Sequence, residues 1–188
     1  MGRFLADRDI TVRALRLPGF GTSPFDLRGK TWETWVGAVE KNLAALRQTC
    51  DSIFVIGNST GGLLALDVAA RHDVDGVVGI ATFILSEQPG ARLAKIPVAS
   101  TVLPWCVRYI PRLSGMEAAS GGRTAANQKA YTWVPLSAIV EVMELAGVVR
   151  RRLPEIDEPL LLIQARNDPI VPSDGPGRSE ERRVGKEC

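Results

Sequence analysis

In the first 60 residues, apolar positions follow three patterns of spacing. Two segments have the spacing of strands, and the segment between them has the period of a helix. Residues 10–15 alternate and are rich in β-branched side chains, which predicts a strand. Residues 52–56 end in four consecutive apolar positions, as a strand buried on both faces does. Between them, Thr31 is placed to cap a helix with an apolar stripe of helical period. The stripe consists of Trp32, Trp35, Val36, Val39, Leu43 and Leu46.

The same two periods continue along the rest of the chain. Residues 60–71 and 137–152 are predicted as helices, and residues 76–83 and 159–164 as strands. Strands that alternate with helices form a parallel sheet with right-handed crossovers, so the predicted fold class is α/β. Residues 87–136 differ, because five prolines interrupt them and their short apolar bursts show no strand alternation. We predict short helices and loops there, inserted between two strands of the sheet.

Composition and charge exclude some classes of protein function. Hydrophobic residues make up 45% of the chain and charged residues 23%, which is typical of a soluble globular protein. A net charge of +2 is too small to indicate binding to nucleic acid or to an anionic membrane surface. The longest uncharged run, residues 52–66, is too short and too polar in its middle to span a bilayer. We therefore expect a small-molecule partner, no nucleic acid and no integral membrane segment.

The N-terminal residues and the cysteines indicate a compartment. The start of the chain has no apolar stretch of the kind found in signal peptides. Cys50, Cys106 and Cys188 show neither metal-ligand spacing nor a disulfide pattern, which favours reduced thiols. Both observations predict a cytoplasmic protein.

The last eleven residues, 178–188, differ in character from the rest. Seven of them are charged and only one is aliphatic, which by itself indicates a solvated tail. Their back-translation resembles a common sequencing-library adapter read in frame. We therefore expect a non-native tail that forms no part of the fold.

One motif carries chemistry: Gly57-Asn58-Ser59-Thr60-Gly61 matches G-x-S-x-G. A predicted strand runs into it and a predicted helix runs out, which is the setting of a nucleophile elbow. Ser59 is the candidate nucleophile, and the Thr60 N–H is the candidate donor to an oxyanion. Gly57 and Gly61 are expected to be required because side chains there would clash across the turn. The alternative is a plain glycine-rich turn, although no lysine stands at phosphate-loop spacing.

A serine nucleophile requires a base, and the base requires an acid that orients it. The carboxyl ends of parallel strands share one edge of a sheet, so the acid should follow a later strand. Asp168 stands just after the strand predicted at residues 159–164, and Asp174 is the reserve candidate. Asp157 precedes that strand and belongs to the opposite edge. The alternative for Asp168 is that it only caps a turn.

Four motifs together resemble the carboxylesterase and monoacylglycerol-lipase branch of the α/β-hydrolases. They are LPGFGTSP at residues 17–24, TWETW at 31–35, GNSTGG at 57–62 and RNDPIVP at 166–172. The resemblance covers nearly all of residues 1–176. It implies a serine esterase that cleaves acyl esters of modest chain length through an acyl-enzyme on Ser59. It also implies that the enzyme needs no cofactor and no metal.

The resemblance implies a partial α/β-hydrolase fold with a definite division of the chain. Residues 1–86 are the first part of the core, residues 87–136 a helical lid, residues 137–177 the second part of the core and residues 178–188 the non-native tail. The lid is expected over the carboxyl edge of the sheet. Its apolar residues that would face the acyl chain are Val102, Leu103, Trp105 and Val107.

Two departures from the family pattern bear on activity. Relatives carry a His-Gly segment that follows an earlier strand, and a catalytic histidine that follows one more strand. This chain holds only His72, at the far end of the helix from Ser59 and roughly 18 Å away at 1.5 Å per residue. We therefore expect an inactive, poorly folding fragment of a parent esterase, with a gap in the sheet between residues 10–15 and residues 52–56.

Other functions remain open on the same residues. An acyltransferase, a thioesterase or a cofactor-free peroxidase would use the same elbow, because a fold does not determine the reaction. A non-catalytic binding protein with a decayed hydrolase fold is a further alternative. Enzymes with an aspartate nucleophile are disfavoured because position 59 is serine.

Overall fold

The computed structural model describes residues 2–82, 84, 109–111, 131 and 133–165 of the chain. The helices of this part are α1 (Gly2–Ala6), α2 (Pro24–Leu27), α3 (Trp32–Leu46), α4 (Thr60–Ala69) and α5 (Leu136–Arg152), the last continued by a 3₁₀ turn (Leu153–Glu155). Its strands are β1 (Phe54–Asn58), β2 (Gly76–Ile80), β3 (Tyr109–Pro111), β4 (Trp133–Pro135) and β5 (Leu160–Ile163).

The central element is a three-stranded parallel sheet in the order β1-β2-β5. Asn58 pairs with Ile80, and Ile80 with Ile163, so the carboxyl ends of all three strands meet at one edge. The predicted α/β class, a parallel sheet flanked by helices, is confirmed. This register brings whatever follows β1, β2 and β5 to the same side of the molecule.

One face of the sheet packs against α4, and α3 and α5 pack in turn against α4. Val77 is fully buried on that face, and Val55 and Leu162 pack against the same core. The predicted stripe of α3 lies on the buried side of the helix, where it forms part of the core with Trp35, Val36, Val39 and Leu43. The period of 3.6 residues therefore identified the packed face of α3 correctly.

The opposite face of the sheet is largely open to solvent. Phe54 keeps 63% of its surface exposed, Ile56 43% and Ile163 47%. The prediction that residues 52–56 are buried on both faces is wrong. A continuous apolar run shows that both faces of a strand are apolar, but it does not show that both are covered.

The strand predicted at residues 10–15 is also wrong, because residues 10–16 belong to no helix or strand. The segment is held at two points on α3. Arg13 Nε donates to Asn42 Oδ1 at 2.7 Å, and Trp35 Nε1 donates to the Pro18 carbonyl oxygen at 3.1 Å. Alternating β-branched residues favour an extended chain, but a strand also needs a neighbour to hydrogen-bond, and among the described residues this segment has none.

The helix after Thr31 begins as predicted, but its first amide is capped by another helix. Thr31 has the extended backbone of an N-cap, yet its side chain makes no capping hydrogen bond. The Trp32 N–H instead donates to Glu141 Oε2 of α5 at 2.9 Å. Burial raises the pKa of the Glu141 carboxyl, opposed by this hydrogen bond.

A charged network ties the three core helices together. Asp67 of α4 has no exposed surface, and its carboxylate accepts from Arg71 Nη2 at 2.7 Å and from Arg152 Nη1 at 2.6 Å. Arg71 Nη1 also reaches Glu40 Oε1 of α3 at 2.6 Å. Because both carboxylate oxygens of Asp67 are paired, its burial leaves no unsatisfied charge.

Part of the region predicted as a helical lid, residues 87–136, lies within the described residues. There the structure has an antiparallel strand pair, β3 and β4, which the prediction of short helices and loops did not include. Val102, Leu103, Trp105 and Val107 lie outside the described residues, as does the tail at 178–188. The boundaries of the four predicted segments stay predictions.

Tyr131, near the end of the region 87–136, is hydrogen-bonded to the loop after residue 17. Its hydroxyl donates to the Gly19 carbonyl oxygen at 2.8 Å and accepts from the Thr22 N–H at 2.8 Å. A single side chain therefore satisfies two backbone groups of that loop. No helix among the described residues is long and apolar enough to cross a membrane.

Candidate active site

Ser59 stands alone between the last residue of β1 and the first residue of α4. Its backbone has φ 54° and ψ −118°, a conformation that residues other than glycine rarely adopt. Such a residue costs about 1–3 kcal/mol and persists only when its surroundings impose it. The side chain is exposed at the carboxyl edge of the sheet. This is the sharp strand-to-helix turn that the G-x-S-x-G motif predicts.

The neighbouring strand holds the turn in place. The Ser59 N–H donates to the Ile80 carbonyl oxygen at 2.8 Å, while the Ser59 carbonyl oxygen accepts from Gly62 N at 2.9 Å and Leu63 N at 3.2 Å. Ala81, directly after β2, also has a positive φ of 48°. Its N–H donates to the Ile163 carbonyl oxygen at 2.8 Å. Hydrogen bonds across the sheet thus fix two strained residues at the same edge.

The two motif glycines differ in their need to be glycine. A Cβ placed on Gly57 would overlap the backbone of Gly61, so the expected clash is present there. A Cβ placed on Gly61 would meet nothing within 4 Å. The expectation that Gly61 is required for the same reason is therefore wrong. Position 57 requires glycine because the backbone of Gly61 passes over it. Gly61 has no atom close enough to exclude a side chain.

Gly62 makes a second close approach, which the sequence motif did not predict. A Cβ on Gly62 would overlap the hydroxyl of Thr82, a buried residue that follows β2. Thr82 Oγ1 donates to the Ile80 carbonyl oxygen at 3.5 Å, the same oxygen that accepts from the Ser59 N–H. Thr82 therefore packs between the first turn of α4 and the end of β2. The Gly-Gly pair at 61–62 was the available signal.

The first turn of α4 presents free donors beside Ser59. Gly62 and Leu63 bond back to Ser59, whereas the Thr60 N–H has no acceptor among the described residues. An unpaired amide at a helix N-terminus, with the helix dipole behind it, stabilises negative charge. The Thr60 amide is thus placed next to the serine and is available to an anion.

Asp168 and the reserve Asp174 lie outside the described residues. The reasoning that led to Asp168 rests on β5, which does end at the same edge as Ser59. Asp168 follows the end of β5 by five residues. Asp157 precedes β5, as expected. The role of Asp168 stays a prediction.

His72 lies beyond the far end of α4, which begins beside Ser59 and ends at Ala69. Its Nε2 is 2.9 Å from Glu40 Oε1, and the pair packs beside Arg71. His72 therefore belongs to the charged network of the helices. The described residues contain no group of three or more His, Cys, Asp or Glu side chains that would hold a metal.

Comparison with known proteins gives a consistent result. A family model described as Hydrolase_4, serine aminopeptidase S33, matches residues 1–186. A thermostable monoacylglycerol lipase of Bacillus sp. (strain H-257) is 28% identical over 171 residues, which are 90% of this chain and 63% of that protein. A carboxylesterase of Bacillus subtilis (strain 168) is 23% identical, over 91% of this chain and 66% of that protein. The chain thus spans less than two thirds of either relative.

Solved structures agree on the fold. One described with LipS and LipT, two metagenome-derived lipolytic enzymes, superposes with a TM-score of 0.70 at 28% identity, over 87% of this chain and 65% of that one. A monoacylglycerol lipase of Paleococcus ferrophilus superposes with a TM-score of 0.59 at 18% identity, over 78% of this chain and 58% of that one. The second likeness bears on the fold alone.

Proposed function

Because the chain belongs to the Hydrolase_4 family of lipase- and esterase-like α/β-hydrolases, we propose that it carries the nucleophile half of a serine ester hydrolase. The substrate is a small acyl ester, and the acyl group passes through a covalent intermediate on Ser59. The observation that carries the proposal is the strained backbone of Ser59, exposed at the sheet edge beside the unpaired Thr60 N–H. Strain of this kind is retained where a side chain must be presented for chemistry.

The proposed reaction has two steps. Ser59 Oγ attacks the ester carbonyl carbon and loses its proton to a base, and the tetrahedral oxyanion receives a hydrogen bond from the Thr60 N–H. The bond between the acyl carbon and the alcohol oxygen then breaks, and the alcohol leaves with the proton from the base. Water repeats the sequence on the acyl-enzyme and releases the carboxylic acid and free Ser59.

The base does not come from His72, which lies at the other end of α4 and pairs with Glu40. His72 is the one histidine of the 188 residues. We therefore place the base of the working enzyme outside residues 1–188. Asp168, after β5, is the proposed acid that orients it. Without the base, residues 1–188 are expected to react slowly at Ser59.

The test is covalent labelling of residues 1–188 with a fluorophosphonate, with and without added imidazole as a substitute base. We expect one label at Ser59, located by peptide mass spectrometry, and faster labelling when imidazole is present. Ser59→Ala should abolish the label. Ser52→Ala is the matched control, because Ser52 is also exposed but lies at the opposite end of β1. A label that survives in Ser59→Ala, or that is lost in Ser52→Ala, would place the nucleophile elsewhere.

A further inference from the structure

Thr82 is a buried polar residue whose presence is not explained by hydrogen bonding. In the part of the chain that the structure describes, the buried polar or charged residues are Asp67 and Thr82. Asp67 is paired with two arginines, whereas the Thr82 hydroxyl donates to the Ile80 carbonyl oxygen at 3.5 Å. That distance is long, since a hydroxyl normally lies about 2.7–2.8 Å from its acceptor. Burying a hydroxyl with so weak a partner costs free energy that a valine of nearly the same shape would not cost.

The Thr82 hydroxyl lies between two glycines. A Cβ placed on Gly62, in the first turn of α4, would overlap Thr82 Oγ1, and a Cβ placed on Gly79 of β2 would lie 2.9 Å from the same atom. Carbon atoms in contact lie about 3.5–4.0 Å apart and oxygen is the smaller atom, so a hydroxyl fits this gap better than a methyl group. Thr82 Oγ1 therefore acts as a spacer that sets how closely α4 approaches β2.

A strained turn after β2 brings Thr82 to this position. Asn58 of β1 pairs with Ile80 of β2. Ser59 and Ala81 are the next residues along the two strands, and both have a positive φ, 54° and 48°, without being glycine. Strained backbones persist only where the surrounding structure imposes them, and they cluster at active sites. Thr82 directly follows Ala81 and is therefore part of the same strained edge as Ser59.

Thr82 is connected to both backbone groups of Ser59. The Ile80 carbonyl oxygen, which accepts from Thr82 Oγ1, also accepts from the Ser59 N–H at 2.8 Å. Gly62, beside the Thr82 hydroxyl, donates its N–H to the Ser59 carbonyl oxygen at 2.9 Å. Thr60 lies between Ser59 and Gly62 in the chain. A change in the spacing of α4 and β2 therefore moves the Thr60 N–H relative to the Ser59 side chain.

We infer that Thr82 is a positioning residue for Ser59. Its hydroxyl holds the first turn of α4 at the distance from β2 at which the Thr60 N–H meets the oxyanion formed on the acyl carbon. Such a donor stabilises the oxyanion only when it is held in place beforehand. Thr82 is buried behind the turn, so it acts on the chemical step and not on binding of the ester. The catalytic part of this inference rests on the proposed function, whereas the contact of Thr82 with Gly62 does not.

The test compares variants of residues 1–188 in fluorophosphonate labelling with imidazole present. The dependence of the labelling rate on reagent concentration separates the limiting rate constant from the apparent affinity for the reagent. Thr82→Val replaces the hydroxyl with a methyl group and should lower the limiting rate constant roughly tenfold, part of what the loss of a whole oxyanion donor costs. Thr82→Ser keeps the hydroxyl and should label within about twofold of the wild type. The apparent affinity should be unchanged in both.

Val77→Ala is the matched control for general destabilisation. Val77 is also buried on β2 but lies near the other end of the strand. Its substitution should lower the melting temperature at least as much as Thr82→Val and leave the limiting rate constant unchanged. Amide chemical shifts give a second measurement that needs no catalysis. The Thr60 and Gly62 amide signals should move in Thr82→Val and stay in place in Val77→Ala.

The same contact can be changed from α4, should Thr82→Val fail to fold. Gly62→Ala places a methyl group against the Thr82 hydroxyl and should slow labelling. Adding Thr82→Ala removes that hydroxyl and should restore part of the rate, as expected for two residues that meet directly. Absence of any restoration would contradict the contact.

Several results would overturn the inference. Labelling of Thr82→Val at the wild-type rate, or unmoved Thr60 and Gly62 amide signals in that variant, would show that the hydroxyl does not position the turn. Equal slowing in Thr82→Ser would assign the effect to lost packing, and equal slowing in Val77→Ala would assign it to lost stability. A label that survives in Ser59→Ala contradicts the proposed function instead, and the amide signals then test the contact of Thr82 with Gly62 by themselves.

Discussion

Arg152 Nη1 lies 2.6 Å from Asp67 Oδ1, although the Asp67 side chain has no exposed surface. The contact joins the last residue of α5 to the last turn of α4, and the two residues are 85 positions apart in the chain. The other carboxylate oxygen of Asp67 is held by Arg71, which in turn reaches Glu40 on α3. The helices on the packed face of the sheet are thus joined by charge as well as by apolar contact.

Asp67→Asn should destabilise the chain by about 3 kcal/mol, because it leaves two arginine side chains without their buried anion. Arg152→Met should cost less, since Arg71 still pairs with Asp67. The measurement is urea unfolding of both single variants and the double variant, with an expected coupling of about 1–3 kcal/mol. Asp157→Asn, at an exposed position, is the control and should change little. Simple additivity of the two substitutions would contradict a direct interaction.

Glu40 should make the free energy of unfolding depend on pH. The hydrogen bond from His72 lowers the pKa of the Glu40 carboxyl below its usual 4.5, partial burial opposes this, and Arg71 lowers the pKa further. A lowered pKa in the folded state means that the carboxylate stabilises the fold above pH 4.5, and that this contribution is lost as the pH falls below it. Melting temperatures from pH 6 to about 3 should therefore fall more steeply in the wild type than in Glu40→Gln. Glu155→Gln, at an exposed site, should follow the wild type.

The two motif glycines should respond in opposite ways to alanine. Gly57→Ala forces a methyl group into the backbone of Gly61 and should cost about 1–3 kcal/mol or more. Gly61→Ala has free space and lies in a helix, so it should be neutral or stabilise by about 0.5–1 kcal/mol. Thermal unfolding of both variants distinguishes them. Equal destabilisation would mean that the space around Gly61 is not free.

Ser59→Gly should raise the melting temperature. Glycine adopts φ 54° without the cost that serine bears, so part of the strain, of order 1 kcal/mol, is released. Ser59→Ala keeps the Cβ and should not gain this stability. Calorimetry of the two variants side by side is the measurement. If the alanine variant gained as much as glycine, loss of the exposed hydroxyl rather than backbone strain would be the cause.

Tyr131→Phe should loosen the loop after residue 17. The Thr22 N–H loses its acceptor and the Gly19 carbonyl its donor, which costs about 1 kcal/mol for groups that water reaches in part. Hydrogen exchange at the Thr22 amide should become roughly fivefold to tenfold faster. The Asp75 amide, which donates to the Ile53 carbonyl oxygen outside this loop, is the internal control. Unchanged exchange at Thr22 would show that Tyr131 does not hold the loop.

Local patterns were enough to predict most of the described fold. The stripe of α3, the parallel direction of the sheet strands and the strand–turn–helix around Ser59 all depend on neighbouring residues or on the alternation of elements. The turn at Ser59 is especially easy to predict, because Gly57 and Ser59 are required by backbone constraints that act within a few residues. Such constraints are visible in a single sequence.

Features that depend on a distant partner were missed. Residues 10–15 have the composition of a strand, but composition does not say whether a neighbour is present to complete the ladder. The apolar run at 52–56 does not reveal which of its faces is covered. The contact of Gly62 with Thr82 and the cap that Glu141 provides to α3 both join residues far apart in the chain. The glycine pair at 61–62 indicates a close approach, but a single sequence does not indicate which distant residue makes it.

The bare face of the sheet has a practical consequence for work with this chain. Phe54 and Ile56 on β1 and Ile163 on β5 lie on one exposed face of the sheet, with β2 between them, and apolar surfaces of this kind promote self-association. The protein concentration, more than the temperature, will then determine whether samples aggregate. Kosmotropic salts such as ammonium sulfate strengthen apolar association and should promote aggregation. Dilute, low-salt samples therefore suit the unfolding and exchange measurements best.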